Sequence, residues 1–276
     1  MIVELDKTDF SKCRELLNEQ GQLEAKAVVE RINPGRIFVD NRDNPSSGLI
    51  WLGNNDGFVF FGSEQNEEFN NELNDLIDHV IIPEAKKVQL KWFEGVGNHE
   101  KWNPIIASVF KHRHLGSWLQ RVYTLQQGDY KGDTIPIMNH EYELYKISAT
   151  LLENKDHSII NNMGFLQSKI GEFWSSTDIF LNKGMGYCII HRHEIVSTCI
   201  SGFVAANVHG IDIETIEAHQ GKNLAQTLAH HYVQECITNN WIAYWDCMDM
   251  NKPSVAVAEK VGFRNRFNYT GYEFSF

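Results

Sequence analysis

Nowhere does the chain hold about 18 apolar residues in an unbroken row, so no membrane-spanning helix is expected. Positive charge is scarce: 25 lysines and arginines stand against 36 aspartates and glutamates, a net charge of −11 with histidine neutral. A field of that sign opposes binding to nucleic acid and to anionic membranes, and it is compatible with a cationic substrate. The five cysteines (Cys13, Cys188, Cys199, Cys236 and Cys247) are scattered, and no CxxC occurs. They read as reduced thiols in a cytoplasmic protein. The first ten residues carry acidic side chains and no long apolar run, so no secretory signal is expected. HExxH and GxSxG are both absent. His191-Arg192-His193, His230-His231 and His112-Arg113-His114 have no partner cluster at zinc-ligand spacing, so no metal is expected. Trp241, Tyr244 and Trp245 lack the basic surroundings of a nucleic-acid stacking platform and read as core, as do Trp51, Trp92, Trp102 and Trp118.

What is present describes a folded protein with room for two domains: 276 residues, 42% hydrophobic and 22% charged. The first half reads as a helix over 10–30, strands at 48–52 and 57–61, a helix at 67–81, a strand at 88–93, a short helix at 103–110 and a strand at 118–125. The polar stretch 126–133, with Gly128, Asp129, Gly132 and Asp133, reads as a linker between domains 1–130 and 131–276. The second half reads as a strand at 142–147 and a helical region over 154–178, with Gly164 or Gly171 as break points. Strands follow at 186–191, 195–204 and 211–216, then a helix from Gly221, a strand at 242–247, a short helix at 253–261 and a final strand at 272–276. This is an α/β (α+β) pattern: a mixed sheet with helices on both faces. The halves echo each other in element order but not in residues.

The most informative stretch is Glu214-Thr215-Ile216-Glu217-Ala218-His219-Gln220-Gly221-Lys222-Asn223-Leu224-Ala225. It reads as a strand, a glycine turn and a helix start. Leu224, Leu228, Tyr232 and Cys236 recur every four positions, with Ala225, Ala229, Val233 and Ile237 beside them, so the helix has an apolar stripe to lay on a sheet. A helix start carries unpaired N–H groups and a positive dipole end, so it can receive a phosphate, and Lys222 adds charge. Upstream, Asp212, Glu214 and Ile216 alternate along one strand face and Ile211, Ile213 and Thr215 along the other. Carboxylates at i and i+2 lie roughly 7 Å apart. Repulsion and partial burial can raise one pKa toward neutrality, as a general base requires. The helix of the first half opens instead on Glu64, Glu67 and Glu68, which repel a pyrophosphate. If the halves share a fold, only the second is suited to a phosphorylated ligand.

Two motifs together resemble a known family. Gln220-Gly221-Lys222-Asn223-Leu224-Ala225 is similar to the acetyl-CoA pyrophosphate loop of GCN5-related N-acetyltransferases (GNAT): Gln or Arg, two residues, Gly, one residue, Gly or Ala. Trp245-Asp246-Cys247, then Asn251, Ser254 and Ala258, closing on Gly262-Phe263, resembles that family's last strand–loop–helix around the cofactor arm. Residues from about 142 onward look like one GNAT domain, with the N-terminal α/β domain as a degenerate copy. The whole chain resembles the bacterial two-domain group that includes the zwittermicin A resistance acetyltransferase.

The resemblance implies acetyl transfer from acetyl-CoA to a primary amine of a small molecule, with antibiotic resistance as a candidate role. It implies cofactor contacts from Ile216, Gln220, Gly221, Lys222, Asn223, Leu224, Ala225, Asn251 and Ser254. It places the base on the strand before the loop, where Glu214 is the first choice and Glu217 the second, since a bulge would change which side chain faces the cleft. A backbone N–H of 215–218 is the natural oxyanion donor. The chain departs from the pattern at Asn223, in place of the central glycine, and at Ala258, where relatives carry a tyrosine acid. Those departures leave two other classes open: an acyl-CoA sensor that catalyses nothing, or an interaction module with a degenerate cleft. The first domain shapes the acceptor pocket or an oligomer contact, such as a homodimer.

Overall fold

Short runs of Ile, Val, Leu and Phe separated by polar turns form most of the strands, as β-branched and aromatic side chains favour a half-buried pleated surface. The computed structural model describes residues 1–53, 57–153 and 160–276. These residues divide into two units, 1–120 with 269–276, and 121–268.

In the first unit, β1 (Val3–Glu4) is followed by a 3-10 helix (Lys7–Leu16), α1 (Leu23–Val29), β2 (Gly35–Val39), β3 (Ser47–Leu52) and β4 (Phe58–Gly62). Next come α2 (Glu67–Leu76), a π-helical turn (Ile77–Ile81), α3 (Ile82–Lys87), β5 (Trp92–Gly97) and α4 (Trp102–Val109). β1 to β4 pair antiparallel in sequence order, and β5 joins β4 in parallel. Phe93 anchors the core, stacked on Phe58 at 4.5 Å and on Phe274 at 4.6 Å.

β6 (Gly116–Leu125) leads into the second unit. There β7 (Tyr142–Lys146), α5 (Ala149–Leu152), α6 (Met163–Phe173) and α7 (Thr177–Lys183) precede β8 (Gly186–His191), β9 (Glu194–Ala205) and β10 (Val208–Thr215). Then follow α8 (Leu224–Thr238), β11 (Ile242–Met248), α9 (Lys252–Val261) and β12 (Arg264–Ser275), whose last residues pair with β5. The strand order is β6-β11-β10-β9-β8-β7, with β10 and β11 parallel and β7 to β10 antiparallel. α8 lies on one sheet face, packing Leu224, Leu228 and Val233 with Ile211 and Ile213. α6 lies on the other, where Phe173 meets Phe203 edge to face.

Several elements differ from the sequence expectation: β1 goes unread, and the strand expected at 272–276 begins at Arg264. The helix over 10–30 is two pieces, because Gly21 passes against Asn98, where a Cβ would stand 2.3 Å from Nδ2. β2 goes unread although Asn33-Pro34-Gly35 leads into it. The strand expected at 88–93 begins at Trp92, since the preceding helix continues through the π-helical turn to Lys87. The region over 154–178 falls partly outside the described residues, at 154–159. Its remainder breaks at 174–176 rather than at a glycine, with Ser176 Oγ capping α7 through Ile179 N at 3.2 Å. Among the described residues no helix is long and apolar enough to cross a membrane.

Candidate functional site

The two parallel strands of the second unit stop pairing early. β10 and β11 are in register only at Val208↔Ile242, His209↔Ala243 and Gly210↔Tyr244. β10 then runs on to Thr215 and β11 to Met248 without each other. A register shift against β9 at the same point, between His209 and Ile211, bends β10 there. Because Ile216 N donates to Val196 O at 3.0 Å, the alternation of an antiparallel ladder turns the backbone of Glu214 and Asp212 toward β9. It leaves the peptide groups of Ile213 and Thr215 facing the opening. That opening is a cleft of about 540 Å³, lined by Ile213 and Thr215 from β10 and Trp245 from β11.

The cleft ends on the start of α8. Gly221, Asn223, Leu224, Ala225 and Gln226 line it. Gly221 has φ +73°, and a Cβ built there would meet nothing within 4 Å, so this glycine leaves the mouth open. Asn223 has φ +61°, the left-handed region that asparagine enters more readily than most residues, and this explains how it stands where the motif has glycine. Its side chain makes no capping bond, so the first amides of α8 have no side-chain acceptor. Gln220 braces the turn by donating from Nε2 to Thr215 O at 3.0 Å. Lys222 turns the other way, donating from Nζ to Tyr142 Oη at 3.0 Å and to Ala218 O at 3.1 Å. Tyr142 Oη also bonds His219 Nδ1 at 2.9 Å. His219 has a lowered pKa, from burial first and then from Lys222 and His191.

On the far wall, Asn251 Oδ1 accepts from Ser254 N at 3.2 Å, capping α9, and both residues line the cleft. Ser254 Oγ accepts from Trp245 Nε1 at 3.0 Å. α9 adds Ala256, Val257 and Lys260, whereas Ala258 is fully buried in the core. Ile216 lies outside the lining and packs on the core.

The α6 face of β10 carries charge. Glu214 Oε2 is 2.7 Å from Lys169 Nζ, and Glu172 Oε2 is 2.9 Å from the same atom. Burial alone would lower the Lys169 pKa, but these two carboxylates outweigh it and hold the ammonium above its ordinary range. Asp212 is different: its Oδ2 is buried with no hydrogen-bond partner. Burial lifts its pKa from 3.8 to about 6, with Lys169 opposing and Glu172 and Glu214 adding to the rise. Glu217 sits exposed in the 3-10 turn after β10. Sequence reasoning passed over Lys169, because its partner on β10 is far away in the chain.

The first unit repeats the strand pair and helix without the opening. β4 and β5 stay in register through Phe60↔Gly97. Asn98 N then donates to Phe60 O at 2.8 Å, and His99 Nε2 donates to Gly62 O at 2.9 Å, so the pair is fastened to its end. The start of α2 is capped by Asn66 Oδ1, accepting from Phe69 N at 3.0 Å, and begins with Glu67 and Glu68.

One open and one closed strand pair, each joined through a helix, make a tandem architecture, and sequence comparison gives its family. The family model for GNAT acetyltransferase matches residues 14–272, and the chain belongs to that family. It is 24% identical over 274 residues to the uncharacterized N-acetyltransferase YdfB of Bacillus subtilis (strain 168), covering 99% of this chain and 98% of that one. Its fold is similar to that of a GCN5-related N-acetyltransferase-like protein from Streptococcus suis 89/1591, with TM-score 0.69, 17% identity and coverage of 97% and 98%. It is also similar to a tandem GNAT protein from the clavulanic acid biosynthesis pathway, solved without AcCoA, with TM-score 0.57, 11% identity and coverage of 100% and 98%. The fold is thus a two-domain tandem GNAT.

Proposed function

We propose that this chain is an acetyl-CoA-dependent N-acyltransferase that acetylates a primary amine of a small molecule by direct transfer in the second unit. One observation carries the reading: β10 and β11 part after Gly210↔Tyr244, and the cleft so formed runs to an uncapped helix start. The free amides from Leu224 to Gln226 suit a pyrophosphate, with the dipole of α8 adding to the attraction. The peptide group of Ile213 and the N–H of Thr215, whose carbonyl is taken by Gln220, offer the amide-bearing arm of CoA the hydrogen bonds that β11 would otherwise make. Trp245 and Val257 give that arm an apolar wall. Bound acetyl-CoA supplies an activated thioester.

The residues of this chain then have three tasks. They hold the two reactants together, which alone can supply much of the rate gain. They exclude water from the cleft floor. They also take a proton, because an amine arrives as ammonium and attacks only after losing one; a carboxylate on the α6 face of β10 is the acceptor. The leaving thiol has a pKa of about 8.5 and departs without a strong acid. This agrees with a cleft wall on α9 made of Ala256 and Val257, where Ser254 is already bonded to Trp245. Five buried, unbonded cysteines fit a reducing compartment, and we place the enzyme in the cytoplasm. The test is thiol release from acetyl-CoA across a panel of primary amines, with the acetylated product weighed by mass spectrometry. Amine-dependent release is expected. Tight binding with no turnover on any amine would leave an acyl-CoA sensor instead.

A further inference from the structure

We propose that Asp212, and not the neighbouring Glu214, is the catalytic residue that takes the proton from the acceptor amine, with Lys169 as a positioning residue that occupies Glu214 and Glu172. The proposal rests on the acetyl-transfer reading and specifies its acceptor side. Three observations carry it. The first is place. Pairing of β10 with β11 ends at Gly210↔Tyr244, so Asp212 stands two residues beyond the point where the cleft opens, and Glu214 stands a further two toward the phosphate end. The reacting end of a thioester lies at the deep end of such a cleft, remote from its pyrophosphate.

The second is hydrogen bonding. Lys169 Nζ, on α6, is held by Glu214 at 2.7 Å and by Glu172 at 2.9 Å, whereas Asp212 Oδ2 is buried and has no partner. A buried carboxylate oxygen without a donor is costly and therefore rare. An incoming ammonium would supply the missing donor. The third is charge. Glu172, Lys169, Glu214 and Asp212 sum to three carboxylates and one ammonium, and Cys199 on β9, the other titratable neighbour, is neutral because burial raises its pKa. The surplus is negative, so the acceptor this cluster draws is a cation.

In the step itself one N–H bond of the bound ammonium breaks and its proton passes to Asp212 Oδ2; the freed lone pair forms the C–N bond to the acyl carbon, the C–S bond breaks as the thiolate departs, and the second proton, shed by the nitrogen once it is bonded to the acyl carbon, passes to that thiolate. Asp212 then gives its own proton to water, so the carboxylate is regenerated. The test measures kcat/KM against pH for wild type, Asp212→Asn, Glu214→Gln and Lys169→Met, alongside the melting shift given by acetyl-CoA. The wild type should show an acid limb near pH 6. Asp212→Asn should lose activity by about 10²- to 10⁴-fold, the usual worth of a general base, while keeping its acetyl-CoA shift. Glu214→Gln should keep the limb but move it to lower pH, since an anion leaves and Lys169 is free to face Asp212. Lys169→Met should move it to higher pH. A role in folding alone would not move the limb in opposite directions. If Asp212→Asn kept the wild-type profile, or if Glu214→Gln abolished the limb, the assignment would be overturned and the transfer reading would stand. A wild type with no acetyl-CoA shift, or with no turnover on any amine, overturns the transfer reading and this assignment with it.

Discussion

Replacing Asp212 by asparagine should make the protein more stable at neutral pH while removing its activity. In the unfolded chain this carboxyl loses its proton near 3.8, and in the folded protein it holds it until about 6, chiefly because of burial. Between those values the native state binds more protons than the unfolded state, so stability falls as pH rises through the window and the loss is complete above about 6. Each pKa unit corresponds to about 1.4 kcal/mol, so the full cost is up to about 3 kcal/mol, and partial access of water to the site reduces it to about 2. Asparagine resembles the protonated side chain and carries no such cost. For a unit of this size about 2 kcal/mol is worth roughly 4–8 °C of Tm. Scanning calorimetry on both proteins at pH 7.5 and pH 4 is the assay. The variant should melt higher at pH 7.5, and the difference should shrink to a small part of that at pH 4, where the native form is protonated and the unfolded form is about 40% protonated. A variant that melts at or below the wild-type temperature at pH 7.5 would show that the Asp212 carboxylate is well satisfied, and the reasoning about its role would fail.

Other substitutions separate cofactor binding from folding. Gly221→Val forces a β-branched residue to φ +73°, a strain of order 1–3 kcal/mol, and fills the mouth of the cleft; titration with acetyl-CoA should show a Kd raised at least tenfold. Asn251→Ala removes the cap of α9 and should cost about 1 kcal/mol of stability in urea unfolding. Leu228→Ala, fully buried under α8, should cost about 2–5 kcal/mol in the same measurement. His99→Ala should destabilise the first unit, where His99 fastens the end of β4, yet leave the acetyl-CoA Kd unchanged.

Much of the candidate site was legible in the sequence because its parts are local. The turn from Gln220 to Ala225, the stripe on α8 and the alternation of Asp212 with Glu214 depend on neighbours a few residues away, and the structure has Asp212 and Glu214 on one face. Roles set by distant partners could not be read. Lys222 reads as a charge for the phosphate, and the partner its ammonium has in Tyr142, 80 positions earlier, is not visible in the chain. Glu214 and Asp212 look equivalent in the chain, and only α6 distinguishes them, by bringing Lys169 to one of them. The break between the 3-10 helix and α1 depends on Asn98 passing Gly21, a contact that no helical pattern announces. The closed state of the first unit is half visible in Glu67 and Glu68, whereas the bonds from Asn98 and His99 to β4 are not.

The claim underlying all of this is that the parted strands of the second unit take up acetyl-CoA while the fastened pair of the first unit does not. Isothermal titration of the wild-type protein with acetyl-CoA measures this directly. One binding event per chain, weakened by Gly221→Val, is the predicted result. No heat at all, two sites per chain, or an affinity indifferent to Gly221→Val would contradict it.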